Sequence, residues 1–276
     1  ESLSSMEIPN NYLLKYIFIL EEKNSHFLNI IKKILVNKKF EVIFLNKKGI
    51  PQSRNEFLKY LRKNKSIYCG FLDDDCIVNK RWLINMVKFI KSEKCDIVGG
   101  PQLHKTKKIL YKNLFQILEP NWKHNQKINW IATNNAFLKS QIITNSKIIF
   151  DHNLKDIGGS DQLFFKKLTT NYGYDCRWNT QSFVVECIQN ERESLLWFLK
   201  RNMRYGYSGF YIDIKTYGKI KGGVINLLKL FYMLSKGLIN IFLILKKNNI
   251  YIAIFFLFRC LGRILGLMNY NPKKYT

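Results

Sequence analysis

Acidic residues are scarce in this chain: 20 Asp and Glu stand against 45 Lys and Arg among 276 residues, a formal net charge of +25. Such a balance fits nucleic acid, an anionic membrane or an anionic small substrate. A nucleic-acid binder gathers its cations on one face and sets stacking aromatics among them. Here they run through the whole length, alongside the plentiful Asn and Ile that an AT-rich coding bias would give. Nucleic acid is therefore not an expected partner. Paired cysteines are missing as well. Cys69, Cys76, Cys95, Cys176, Cys187 and Cys260 form no C-x-x-C pair and no zinc-like spacing, which points to free thiols in a reducing compartment. The four histidines, His26, His104, His124 and His152, make no metal motif. There is no internal repeat, no low-complexity stretch and no signal peptide. Position 1 is Glu rather than Met, from which we expect the natural protein to extend upstream.

What is present excludes a disordered chain: 47% of residues are hydrophobic and 14% aromatic. The length suits one large domain, or a domain with an appendage. Strand-like and helix-like runs alternate. Tyr16 to Leu20, Phe40 to Leu45, Ile67 to Leu72 and Asp96 to Gly100 read as strands. Phe27 to Leu35, Ser53 to Leu61 and Arg81 to Ile90 read as the helices between them. Gln102 to Lys127 is aromatic and basic without clear periodicity, and is expected to form loops over the site. Strand character resumes from Trp130 to Leu138 and again from Ser182 to Val185. This βαβα rhythm predicts an α/β fold with a mostly parallel sheet covered by helices.

The strand Ile67 to Leu72 runs straight into Asp73-Asp74-Asp75. Adjacent carboxylates repel one another, and the end of a buried strand is a costly place for them. A divalent cation removes the problem. Hard ions such as Mg²⁺ or Mn²⁺ take oxygen ligands and commonly bridge a protein carboxylate to a substrate diphosphate. The carboxyl end of a strand is also where ligands bind in open α/β sheets. Further on, Gly158-Gly159-Ser160-Asp161 reads as a flexible turn, a cap and an acid in the first turn of a helix.

Together these segments resemble glycosyltransferase family 2, with its A-type nucleotide-diphospho-sugar transferase fold. Gly49-Ile50-Pro51-Gln52-Ser53-Arg54-Asn55 is similar to the family's Ser-Arg-Asn segment, and Asp73-Asp74-Asp75 with Trp82-Leu83 to its metal-binding acids. Gly158-Gly159-Ser160-Asp161 with Phe164-Phe165 resembles its acceptor-site helix. Val185-Glu186, Arg192 and Trp197 to Gly206 resemble the segment that closes the catalytic domain. Single short motifs are weak, but four in order carry weight. The resemblance implies an inverting transferase that moves a sugar from a nucleotide-diphospho-sugar donor to a hydroxyl of a saccharide or lipid-linked acceptor, as in cell-envelope polysaccharide synthesis. Asp73 and Asp75 would hold Mn²⁺ or Mg²⁺. Asp161 would be the general base. Glu21, Arg54, Asn55, Asp73, Asp74, Arg201 and Arg204 would bind the donor, and Gly159, Ser160 and Trp130 the acceptor. Relatives begin with a strand that has no counterpart here, so the first strand is expected to be lacking. A non-catalytic relative unable to bind donor is the alternative.

Past Gly206 the composition changes. Residues 223–245 and 250–268 are strongly apolar. We divide the chain into a catalytic domain, 1–215, and a membrane-associated helical tail, 216–276, on the cytoplasmic face of the cell membrane. On a helix, Asn226, Lys229, Lys236 and Asn240 share a narrow arc, and Arg259 and Arg263 share a face. A charge at the bilayer centre costs roughly 2.5–3.5 kcal/mol, so these stripes are expected to face the headgroups with the helices lying in the membrane surface. A spanning hairpin, or helices packed on the catalytic domain, are the other readings.

Overall fold

The computed structural model describes residues 1–22, 25–243 and 249–269. The first two strands, β1 (Lys15–Leu20) and β2 (Lys39–Phe44), pair in parallel around helix α1 (Ser25–Ile34). Helix α2 (Ile50–Lys63) starts with Pro51 in its first turn, where a missing N–H costs nothing. Strands β3 (Tyr68–Phe71) and β4 (Cys76–Val78) flank the acidic triplet and lead into α3 (Trp82–Ser92). Then follow β5 (Ile97–Gly99), β6 (Gln102–Lys105), α4 (Ile109–Leu118), β7 (Ala136–Lys139), α5 (Gln141–Ser146), α6 (Ser160–Thr170), β8 (Cys176–Trp178) and β9 (Val184–Cys187).

The central sheet has the order β3-β7-β5-β8. Strands β3, β5 and β8 run one way, and β7 lies antiparallel between β3 and β5. This is the expected α/β architecture. Side chains alternate across the sheet with the period of two that strands impose. Ile97 and Leu138 join one apolar cluster with Leu58, Phe164 and Phe165, beneath α2 and α6. Their neighbours Val98 and Phe137 join the other, with Trp82, Met86 and Ile90 of α3. Burying a side chain of this size stabilises by roughly 1.5–3 kcal/mol. A smaller sheet, β4-β9-β6, stands beside the acids.

Two expectations need correction. The stretch Gln102 to Lys127, read as loops, contains β6 and α4. Helix α4 was hidden because the apolar surface it covers lies far along the chain: Leu114 and Phe115 pack on Phe198 and Phe255. The second concerns the polar stripes of the tail. Helices α7 (Leu195–Tyr217), α8 (Lys219–Phe242) and α9 (Asn249–Leu267) pack on one another, and Asn226, Lys229, Arg259 and Arg263 turn inward rather than to the surroundings, while Lys236 stays exposed. Asn226 and Arg263 are buried. Lys229 and Arg263 pair with Asp213 of α7, and Arg259 Nε donates to Asn202 Oδ1 at 2.7 Å. The reason is pairing: a charge that finds a partner within a helix bundle no longer needs headgroup or water. The exposed faces are apolar instead, with Ile220, Val224, Leu227, Leu228, Phe231 and Phe242 of α8 facing out. Glycines let the backbones touch: a Cβ on Gly206 would sit 2.0 Å from the Arg259 carbonyl oxygen, and one on Gly262 1.9 Å from that of Met203.

Candidate active site

The register aligns Phe71, Ala136, Gly99 and Trp178 across the four central strands. The chain leaves β3, β5 and β8 at that edge, so Asp73, Pro101 and Asn179 all emerge there. Asp73 to Asp75 form the turn between β3 and β4, closed by the Cys76 N–H on the Asp73 carbonyl at 3.2 Å. The Cys187 N–H on the Asp75 carbonyl, 2.9 Å, ties the turn to β9.

Arg54 is the first link. Its Nη2 lies 3.7 Å from Asp73 Oδ1, and its Nη1 donates to Ser160 Oγ at 3.1 Å. One guanidinium thus joins the acidic turn to the start of α6. Gly158 and Gly159 both have positive φ, 84° and 83°, a turn that glycine adopts without strain. Ser160 was read as the helix cap, but that position falls to Gly159, and the Ser160 hydroxyl accepts from Arg54 instead. Asp161 follows in the first turn, with Oδ1 accepting from the Gln162 N–H at 2.8 Å.

Charge confirms that the acids share a field. The Asp73 carboxyl is pushed up, first by desolvation and then by Asp161, Asp75 and Asp74, with Arg54 opposing. Its side chain is closely surrounded yet keeps 42% of its surface open, so a ligand can still reach it. Among the described residues, no group of three or more His, Cys, Asp or Glu side chains is set to ligate a metal. The acids present suit an ion that draws its other ligands from elsewhere: two or three carboxylates, mutually repelled and open on one side, are what a shared hard cation relieves.

Beside the turn lies a polar network that sequence reading did not assemble. Arg192 Nη1 donates to Glu186 Oε1 at 2.8 Å and stands 3.6 Å from Asp75 Oδ2. Gln102 Nε2 donates to Glu186 Oε2, and Asn134 Nδ2 to Gln102 Oε1. His104 Nε2 lies 3.5 Å from Glu186 Oε2 and 3.6 Å from Glu119 Oε1, with its ring stacked on Phe115. Desolvation, then the charge of Asp75, raises the Glu186 carboxyl, and Arg192 and Arg201 pull it back. Burial pushes Glu119 up to about 7 and His104 down to about 4. Although close enough for an ion pair, His104 and Glu119 are each driven toward the neutral form, because burial penalises each charge. The signal for this network is alternation: Gln102 and His104 are two apart on β6, opposite Val184 and Glu186 on β9.

The other expected residues are spread around this centre. Glu21 Oε1 accepts from the Gly49 N–H at 2.8 Å, at the end of β1. Asn55 is buried, and its amide bonds both the N–H and the carbonyl of Phe150, so it holds the segment before α6 rather than facing the acids. Trp130 packs edge-on against Trp122 at 5.2 Å and lies on the core. Arg201 stacks over Trp197 and Tyr205 on α7, within electrostatic range of Glu119 and Glu186. Arg204 stands one turn on, in the same helix.

No curated protein matches the sequence. Among solved structures, S. aureus TarS 1–349 in complex with UDP-GlcNAc is similar at 13% identity and TM-score 0.54, over 78% of this chain and 62% of that one. The same protein in complex with UDP aligns over 99% of this chain and 87% of that one, at 12% identity and TM-score 0.52. GalNAc-T7 with UDP, GalNAc and Mn²⁺ gives 13% identity and TM-score 0.51, over 75% of this chain and 45% of that one. The chain thus spans less than two thirds of several of these proteins, and at such identities the likeness shows the fold. The sequence profile of glycosyl transferase family 2 matches residues 4–151, more than half of the length. The chain belongs to glycosyl transferase family 2.

Proposed function

We propose that the protein is an inverting, metal-dependent glycosyltransferase acting on a nucleotide-diphospho-sugar at the cytoplasmic face of a membrane. The observation that carries this reading is the Arg54 link, which joins the acidic turn to Ser160, the residue next to Asp161. Asp73 and Asp75 would hold Mn²⁺ or Mg²⁺, which when bound neutralises charge developing on a departing diphosphate. Glu21 and Arg54 flank the same side and bind the donor, with Asp74 reaching its sugar or ribose. Arg201 and Arg204 approach from α7 as cations for the diphosphate.

Asp161 accepts the proton of the attacking acceptor hydroxyl. An inverting transfer needs a base on the face of the sugar away from the leaving group. That base sits on α6, while the diphosphate side belongs to β3 and β4. Such a base typically contributes roughly 10²–10⁴-fold. The acceptor is a saccharide or lipid-linked hydroxyl. Residues 1–215 supply the chemistry and 216–276 the membrane contact. In support, α8 and α9 are long and apolar enough to cross a bilayer, and their outward side chains are those that hydrocarbon favours.

A donor screen in detergent tests the reading: each common nucleotide-sugar is incubated with Mn²⁺, Mg²⁺ or EDTA, and release of nucleoside diphosphate is followed. Metal-dependent release from one donor is expected. Full turnover in EDTA would defeat the metal assignment.

A further inference from the structure

The turn that carries Asp161 and the helical tail meet at one carboxylate. Asp213, near the end of α7, keeps 1% of its side-chain surface. Its Oδ1 accepts from Lys166 Nζ at 2.6 Å and from Lys229 Nζ at 2.9 Å. Its Oδ2 accepts from Lys229 at 2.8 Å and from Arg263 Nη1 at 3.1 Å. The three cations come from α6, α8 and α9, so one buried anion on α7 gathers every helix of the tail and the helix that begins at Ser160. Nothing in the reading of the cleft uses this cluster.

A second set of contacts lies one turn earlier on α7. The bare α-carbon of Gly159 rests against it: a Cβ there would come within 3.0 Å of Ile212 Cδ1 and 3.4 Å of Ser208 Cβ. Ile212 packs with Leu154, Ile157 and Leu163, on both sides of that turn. Tyr211 donates its hydroxyl to Asp151 Oδ2 at 2.8 Å. The second half of α7 is therefore the floor on which the Gly158-Gly159 turn stands, and α8 and α9 hold that floor from behind.

We propose that Asp213 is a positioning residue for the transfer step: through Lys166 it fixes the helix that bears Asp161, and so couples the seating of α8 and α9 to the reach of Asp161 toward the acceptor. This rests on the reading of Asp161 as the base. A buried carboxylate held by three cations has one arrangement, since leaving any buried charge without a partner is costly. A shift of the tail is passed to α6 through this cluster. The acids for the donor sit on the β3–β4 turn, outside the cluster, and α6 touches them only through the Arg54 bridge from Ser160 to Asp73, so a shift of the tail acts first on Asp161. A small displacement of a catalytic group costs on the order of 10²-fold in rate.

Lys166→Met tests this. It removes the link to α6, keeps the packing of the stem and leaves Asp213 with Lys229 and Arg263. The full chain is purified in detergent, and four quantities are compared with the parent: amide hydrogen exchange of residues 157–165, Mn²⁺-dependent affinity for UDP, and kcat and KM with the best donor of the screen. Faster exchange, unchanged UDP affinity and KM, and kcat lowered roughly ten- to a hundredfold are expected. A structural role alone would lower UDP affinity and kcat together, and that result overturns the proposal. So does a parental kcat or parental exchange. Should no donor turn over with the parent chain, the function proposed above fails; exchange then decides the coupling, upheld if it rises and overturned if it does not.

Discussion

Helices α6 and α8 sort their residues in opposite directions. In α6, Leu163, Phe164, Phe165 and Leu168 are buried, while Asp161, Gln162 and Lys167 lie toward the surface. In α8, Gly222, Asn226 and Gly237 are the buried positions, while Ile220, Leu227, Leu228 and Phe231 are exposed. The first pattern is that of a helix between a core and water. The second is its inverse, with small and polar residues at the helix contacts and apolar ones outside, as in helices packed within lipid. The two sortings meet at Asp213, where Lys166 of α6 and Lys229 of α8 share one carboxylate. The difference teaches that the inside of a helix is the face its partners claim, apolar in α6 and small or polar in α8.

Three variants break or sharpen this contrast. The largest effect is expected on the water-side half. Asp75→Ala removes a carboxylate from the acidic turn and should abolish both transfer and Mn²⁺-dependent binding of the nucleoside diphosphate of the best donor, as read by calorimetry, without lowering the melting temperature much. Binding of that diphosphate at parental affinity would show that the turn is merely an acidic surface. On the lipid-side half, Leu228→Asp with Phe231→Asp places two charges on the outward face of α8, each unfavourable in hydrocarbon by roughly 3 kcal/mol. Vesicle flotation should show loss of membrane binding with folding in detergent retained. Arg263→Leu, on the inward face, should do the reverse, costing roughly 1.5–3 kcal/mol of stability while the protein still floats. Equal behaviour of the two variants would erase the contrast.

The smallest effect is a pH slope. Glu119 has its carboxyl raised to about 7 by burial, so the folded chain binds a proton there that the unfolded chain has lost above the ordinary carboxylate range. Its contribution to stability is whole below that range and disappears as pH rises through about 7. Glu119→Gln should therefore flatten the fall in melting temperature between pH 5 and 8. A slope identical to the parent's would place the titration elsewhere.

The acidic turn, the double glycine and the strands near residues 16–20, 40–45, 67–72 and 96–100 were legible because each is local, whereas the short strands β4, β6 and β8 were missed. The Glu186, Gln102 and His104 network was not read from the sequence, because Gln102 to Lys127 showed no clear periodicity and was read as loops, and the partner strand β9 lies far along the chain. The tail was read correctly as apolar and incorrectly as to which way its polar stripe turns. Helical spacing groups Asn226 with Lys229, and Arg259 with Arg263, yet it says nothing of the Asp213 and Asn202 side chains that claim them. Pairing across the chain is a tertiary fact that no window of sequence contains.

The central claim is that the acidic turn holds a metal-bound donor and that Asp161, at the start of α6, is the base, and Asp161→Asn addresses it most directly. The change keeps the shape of the side chain and removes its basicity. With the best donor of the screen and Mn²⁺ present, UDP affinity should match the parent, while kcat falls by roughly 10²–10⁴-fold. A variant that turns over at the parental rate would contradict the account and move the base elsewhere, with Glu186 the next carboxylate to examine.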